Sequence, residues 1–132
     1  MKDNEVTQRI IQAAIKVHTA LGPGLLESTY HACLFQELTE MGLFVYSETV
    51  VPIVYGKLKL EKSYRIDLMV ENRIIVEIKS VDALTPIHFA QLLTYLKLSN
   101  VRFGLLINFN VVRLKDGGLR RVVNGYGNNE ST

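Results

Sequence analysis

The sequence predicts an α/β fold, a mixed sheet flanked by helices, in the order helix, helix, three strands, helix, strand, short hairpin. Three observations carry this. Apolar residues recur every three or four positions through the first forty residues. Two strand-like segments then meet across a tight connection near residue 72. Finally, a helix opened by Thr85-Pro86 separates two apolar strand segments.

The first helix follows from Val6, Ile10, Ala13, Val17 and Leu21, one apolar stripe between about Asn4 and Leu21, with Asp3 or Asn4 available to cap it. Gly22-Pro23-Gly24 ends it, because proline and glycine both interrupt helical hydrogen bonding. A second helix spans roughly Leu25 to Met41, with Tyr30, Leu34, Leu38 and Met41 on one face and Gly42 placed for a left-handed terminus. Cys33 lies on this helix among apolar neighbours and reads as packing. As the only cysteine it excludes an intramolecular disulfide and any multi-cysteine zinc site.

From Val45 to Tyr55 strand-forming residues dominate, and Tyr55-Gly56-Lys57 reads as a turn. A short half-exposed strand, Lys57 to Leu60, should follow, then two better ones, Tyr64 to Val70 and Ile74 to Lys79, joined through Glu71-Asn72-Arg73. Thr85 as N-cap and Pro86 as first helical residue open the third helix, which runs to about Leu98. Val101 to Ile107 is apolar enough for a buried strand, parallel to the one before the helix. Val111 to Val123 is expected to form a hairpin turning at Asp116-Gly117-Gly118.

A chain of 132 residues favours one domain, taken here as 1–123, followed by a polar tail at 124–132. No apolar run approaches the roughly 18–20 residues that span a bilayer. The polar start, Met1 to Glu5, lacks the apolar core of a secretory signal, so a cytoplasmic location is expected. The net charge of +2 is low for a protein held on nucleic acid by charge alone. Cations nevertheless cluster at Lys57, Lys59, Lys62 and Arg65, and again at Arg113, Lys115, Arg120 and Arg121. Each cluster suits phosphates, and each equally suits a solvated sheet edge.

Strand alternation puts Arg65, Asp67 and Met69 on one face, with Ile66, Leu68 and Val70 on the other. In the next strand Ile75, Glu77 and Lys79 share a face. A three-residue loop, Glu71 to Arg73, sets Asp67 directly opposite Glu77. Like charges so opposed repel. Apolar residues at the alternate positions suggest a sheet covered on both sides, so the pair needs a proton or a cation. Lys79 supplies one charge; a divalent ion with oxygen ligands supplies two. Glu27, in the first turn of the second helix, follows the apolar stripe and should look toward the sheet. On the third helix His88, Gln91 and Tyr95 form a polar stripe beside Phe89, Leu92, Leu93 and Leu96.

At this point the sequence resembles a known family. Gly24-Leu25-Leu26-Glu27-Ser28-Thr29-Tyr30 is similar to the signature of the GxxExxY proteins. The resemblance extends from about Thr7 to Asn124 and takes in Ala20 to Gly24, Tyr64 to Leu68, Glu77 to Lys79, Ala90 to Tyr95 and Leu105 to Phe109. It implies the PD-(D/E)XK nuclease-like superfamily and a restriction-endonuclease-like core. Carried over residue by residue, Asp67 resembles the metal-binding aspartate, Glu77 the second acid, Lys79 the lysine, and Glu27 the acid of the preceding helix. Gln91 and Tyr95 resemble the Gln-x-x-x-Tyr element of the exonuclease-like branch. One departure is that no proline directly precedes Asp67.

The expected activity is Mg²⁺- or Mn²⁺-dependent hydrolysis of phosphodiesters in nucleic acid, with DNA the expected partner. Asp67, Glu77, Glu27 and the backbone carbonyl of Ile78 are the expected ligands. A catalytically silent module of the same fold, binding nucleic acid or a protein partner, is the alternative. An unrelated enzyme using His31 or His88 as base lacks a Ser or Cys nucleophile at a telling spacing. Small size leaves a homodimer open.

Overall fold

The computed structural model describes residues 1–125, except the side chains of residues 62 and 63. The elements are α1 (Asp3–Leu21), α2 (Glu27–Glu40), β1 (Val45–Tyr55), β2 (Leu58–Val70), β3 (Ile74–Lys79), α3 (Pro86–Ser99), β4 (Phe103–Asn108) and β5 (Leu119–Val123). The strands form one sheet in the order β1-β2-β3-β4-β5. Only β3 and β4 run parallel, joined across α3 as the apolar segments on either side of Pro86 required. This is a mixed α+β arrangement of the restriction-endonuclease-like kind. No helix among the described residues is long and apolar enough to cross a membrane.

Helices cover both faces of the sheet. On one side α1 and α2 bury Val6, Ile10, Leu34 and Leu38 against Leu68, Val70, Val76 and Ile107. On the other, Leu92 and Leu96 of α3 meet Val51, Ile66, Met69, Ile75 and Leu106. Cys33 is half-buried against the first of these cores.

Several expectations are corrected in detail. Lys2, not Asp3 or Asn4, is the N-cap of α1, and the Asp3 carboxylate instead pairs with Arg73 at 3.2 Å. Lys57–Leu60 and Tyr64–Val70 are not separate strands, because continuous pairing with β1 fuses them into β2. The terminal hairpin does not form on itself. Residues 110–118 make bends and turns, and β5 pairs antiparallel with β4. Asn124, assigned to the tail, is tied to the start of β4, its amide donating to the Arg102 carbonyl at 2.7 Å. The rest of that tail, from 126, lies outside the described residues.

Tyr30 locks the α1–α2 connection. Its ring is fully buried and stacks on Phe109, centroids 4.5 Å apart. Its hydroxyl donates to the Gly22 carbonyl at 2.6 Å and accepts the Leu25 amide at 3.1 Å. Tyr30→Phe keeps the stacking but leaves those two backbone groups without their partner. A loss of about 1–3 kcal/mol, the cost of such unpaired groups, is expected in urea denaturation. An unchanged midpoint would show that solvent replaces the hydroxyl without penalty.

Candidate metal site

The two central acids lie where β2 parts from β3. The paired register runs Val70↔Ile74, Met69↔Ile75, Leu68↔Val76 and goes no further. One step on, Asp67 and Glu77 face each other, as the three-residue loop required. Their side chains take over the missing strand pairing. The Asp67 amide donates to Glu77 Oε2 at 2.9 Å, and the Ile78 amide donates to Asp67 Oδ2 at 2.7 Å. Each acid thus satisfies a backbone donor that would otherwise be stranded.

The simple alternation expected in β2 fails here. Ile66 and Leu68, two residues apart, pack into opposite cores, so Ile66 does not share a face with Leu68 and Val70. The neighbouring strand is irregular at the same level. Ser47↔Leu68 and Thr49↔Ile66 are paired, which sets Glu48 opposite Asp67. Glu48 has φ 56°, a left-handed conformation uncommon for a non-glycine residue in a strand. The joint irregularity turns Asp67 toward α2.

There Asp67 joins two residues that sequence reasoning did not assign to the site. Ligand atoms of His31, Glu48 and Asp67 all lie within 4.8 Å of one another. His31 shares a 2.7 Å hydrogen bond with Ser47 Oγ through Nε2, and its Nδ1 is 3.8 Å from Glu48 Oε2. A cavity of about 250 Å³ is lined by Glu27, Ser28, His31, Glu48, Asp67 and Ile78. That is small for a drug-sized ligand but adequate for an ion and a phosphate group.

Electrostatics agree with the crowding. Burial pushes the Glu77 carboxyl up to about 8, with Asp67 and Glu27 adding to the rise and the Asp67 amide and Lys79 opposing it. Burial also raises Asp67, against the Ile78 amide, His31 and Lys79. Tyr95 is raised by burial and by the neighbouring Glu77. Glu77 is only 5% exposed and has no cation within 4.0 Å among the described residues. Half-buried Asp67 and exposed Glu48 offering oxygens beside His31, with buried Glu77 across the strand gap, fit a hard or borderline divalent cation.

The other expected residues divide. Lys79 is half-buried and acts on both acids through its charge, without an ion pair within 4.0 Å among the described residues. Glu27 is exposed, not turned inward as its stripe suggested. As the first helical residue it sits at the rim of the cavity, and burial begins one turn on. Gln91 and Tyr95 do not form one polar stripe: Tyr95 is buried in the α3 core, whereas Gln91 is exposed. His88 caps its own helix, Nδ1 accepting the Thr85 amide at 3.0 Å. Buried Asn108 pins the segment after β3, bonding both the amide and the carbonyl of Val81. Ser80 Oγ donates to the Leu25 carbonyl at 2.7 Å, tying the end of β3 to the start of α2.

His31 was legible in part, since it lies four residues after Glu27 on the same helical face. Glu48 was not. Carrying the register of the Gly56-Lys57 turn along the strands would put Tyr46 opposite Asp67, and only the bulge between Val51 and Ile53 brings Glu48 there.

Comparison with known proteins agrees with the fold. A family described as the PD-(D/E)XK nuclease superfamily matches residues 4–122. No curated protein matches the chain. The crystal structure of SSO0001 is similar to it with a TM-score of 0.54 and 22% sequence identity, over 95% of this chain. The chain spans 60% of the length of that structure.

Proposed function

Because the chain belongs to the PD-(D/E)XK nuclease superfamily, we propose that it is a divalent-metal-dependent phosphodiesterase acting on nucleic acid. The observation that supports this most directly is the opposed pair Asp67 and Glu77, one carboxyl buried, with a cation-sized group of ligand atoms beside it. Within the superfamily we read the chain as a GxxExxY protein. Its heptad keeps Glu27 at the cavity rim, and Tyr30 braces the preceding loop.

In this reading Asp67 and Glu77 hold Mg²⁺ or Mn²⁺, with Glu27, His31, Glu48 and the Ile78 carbonyl as further candidate ligands. The bound ion would supply Lewis acidity and neutralise charge building on the phosphate. Lys79, without an ion pair among the described residues, steadies the negative charge of the pentacoordinate transition state or orients the attacking water. Tyr95 braces Glu77 from the α3 side, and Gln91, one exposed turn earlier, reaches for the substrate. Ile78 and the buried strand ends exclude bulk water from one side of the cavity.

The test uses purified protein with Mg²⁺ or Mn²⁺ and labelled single-stranded, duplex and branched DNA and RNA. Asp67→Asn keeps an acceptor for the Ile78 amide, so it should fold while losing calorimetric metal binding at least tenfold and cleavage with it. Cleavage that persists in this variant would move the activity to another site. Wild-type protein that binds no divalent ion would leave the silent-module alternative.

A further inference from the structure

The β1–β2 pair extends well beyond the rest of the sheet. β2 is paired to β3 only through Leu68–Val70, whereas its pairing with β1 continues to Tyr55↔Leu58. Residues 54–61 are exposed without interruption. Two strands alone are marginal in water, so an arm of this kind points to a partner. Its charge says which. Between residues 49 and 65 the described side chains include three cations (Lys57, Lys59, Arg65) and one acid (Glu61), a local +2 that equals the net charge of the whole chain.

Pairing separates the arm into two faces. Val54↔Lys59 and Val50↔Arg65 share one, with Glu61 between the two cations. Tyr55↔Leu58, Ile53↔Leu60 and Val51↔Tyr64 share the other, which continues into the α3 core through Val51. The cationic face therefore contains no aromatic ring. Proteins that hold single strands set aromatic platforms beside their cations so that bases can stack. A face that offers charge and small aliphatic side chains suits a backbone whose bases are already stacked in a duplex.

Position strengthens the assignment. Lys59, Arg65 and Asp67 belong to one strand, with about 26 Å between the first and last at roughly 3.3 Å per residue. We propose that this arm holds the sugar–phosphate backbone of a double-stranded nucleic acid along its Lys59–Arg65 face and leads it to Asp67. The inference rests on the nuclease reading for what happens at the end of that path.

The experiment measures anisotropy of a labelled 20-base-pair duplex, and of one of its strands alone, with EDTA present to prevent cleavage. The charge-reversed K57E/K59E protein, altered only at exposed tip residues, is compared with wild type and with R9E/K115E, which makes the same charge change elsewhere. Expected are a loss of at least tenfold in duplex affinity for K57E/K59E and a log–log salt dependence shallower by about two. The control should change little, and metal affinity and hydrolysis of bis(4-nitrophenyl) phosphate should be unchanged. Equal losses in both variants would reduce the effect to net charge and overturn the proposal. So would tighter binding of the single strand, an undiminished duplex affinity, or a tip variant whose only change is loss of self-association. If small-diester hydrolysis survives any of those results, the arm is wrong and the nuclease reading stands. Loss of metal binding and hydrolysis in wild type itself would sink that reading instead.

Discussion

Lys79→Met should lower kcat for metal-dependent phosphodiester hydrolysis by about 10²–10³-fold while leaving divalent-ion affinity within a few-fold of wild type. The magnitude is that of removing one preorganised charge from a site where negative charge develops, roughly 3–4 kcal/mol. Lys79 suits that role because no carboxylate holds it at ion-pair distance among the described residues, while its charge lowers the proton affinity of both Asp67 and Glu77. Methionine preserves the length and most of the packing of the stem, so folding should survive. The split is the informative readout: KM and the calorimetric metal constant nearly constant, kcat collapsed. A variant that keeps wild-type kcat would remove the lysine from the chemistry.

The second large effect concerns stability without metal. The folded Glu77 carboxyl titrates at about 8, against an ordinary value of 4.5, because it is buried beside Asp67. Between those two values the folded state holds a proton that the unfolded state has released. Folding then takes up a proton, and stability is greatest below the unfolded value and is lost as pH rises through the folded one. The raised Asp67 acts in the same direction. The gap corresponds to a contribution on the order of 3–5 kcal/mol, or roughly 10–20 °C in Tm for a chain of this size. Metal-free protein in EDTA should therefore melt lower at pH 9 than at pH 5. Glu77→Gln, neutral throughout and still able to accept the Asp67 amide, should flatten the profile and melt higher than wild type at pH 9. Saturating Mn²⁺ should reverse the wild-type slope, since binding favours the ionised acids. A flat metal-free profile, or the same slope in the glutamine variant, would show that Glu77 is ionised in the fold.

Much of the architecture was legible because it rests on local rules. Tyr30, Leu34 and Leu38 recur with helical spacing and are all buried. Thr85-Pro86 opens a helix, and the length of the Glu71–Arg73 loop brings Asp67 opposite Glu77. What escaped depends on non-local shape. No propensity announces that Glu48 takes a left-handed conformation, or that Ile66 and Leu68 enter different cores. The placement of Glu48 depends on a bulge beside Pro52, and the direction of Asp67 on the packing of α2. The exposure of Glu27 likewise reflects where α2 begins over the sheet, which its apolar stripe does not encode. Gln91 and Tyr95 show the same limit, since a shared helical face need not be equally covered along its length.

The hydrogen bonds that the two acids make to main-chain amides have an evolutionary corollary. An oxygen acceptor at positions 67 and 77 would be retained by selection for folding even in a lineage that had abandoned hydrolysis, because each closes a gap in the sheet, and Asn and Gln would serve there as well as the acids. The Lys79 ammonium closes no such gap and makes no ion pair among the described residues, so that codon drifts first once turnover ceases to matter. Among descendants of such a fold, ionisable acids together with the lysine are the sentinel of chemistry, and a bare pair of acceptors is the signature of ancestry.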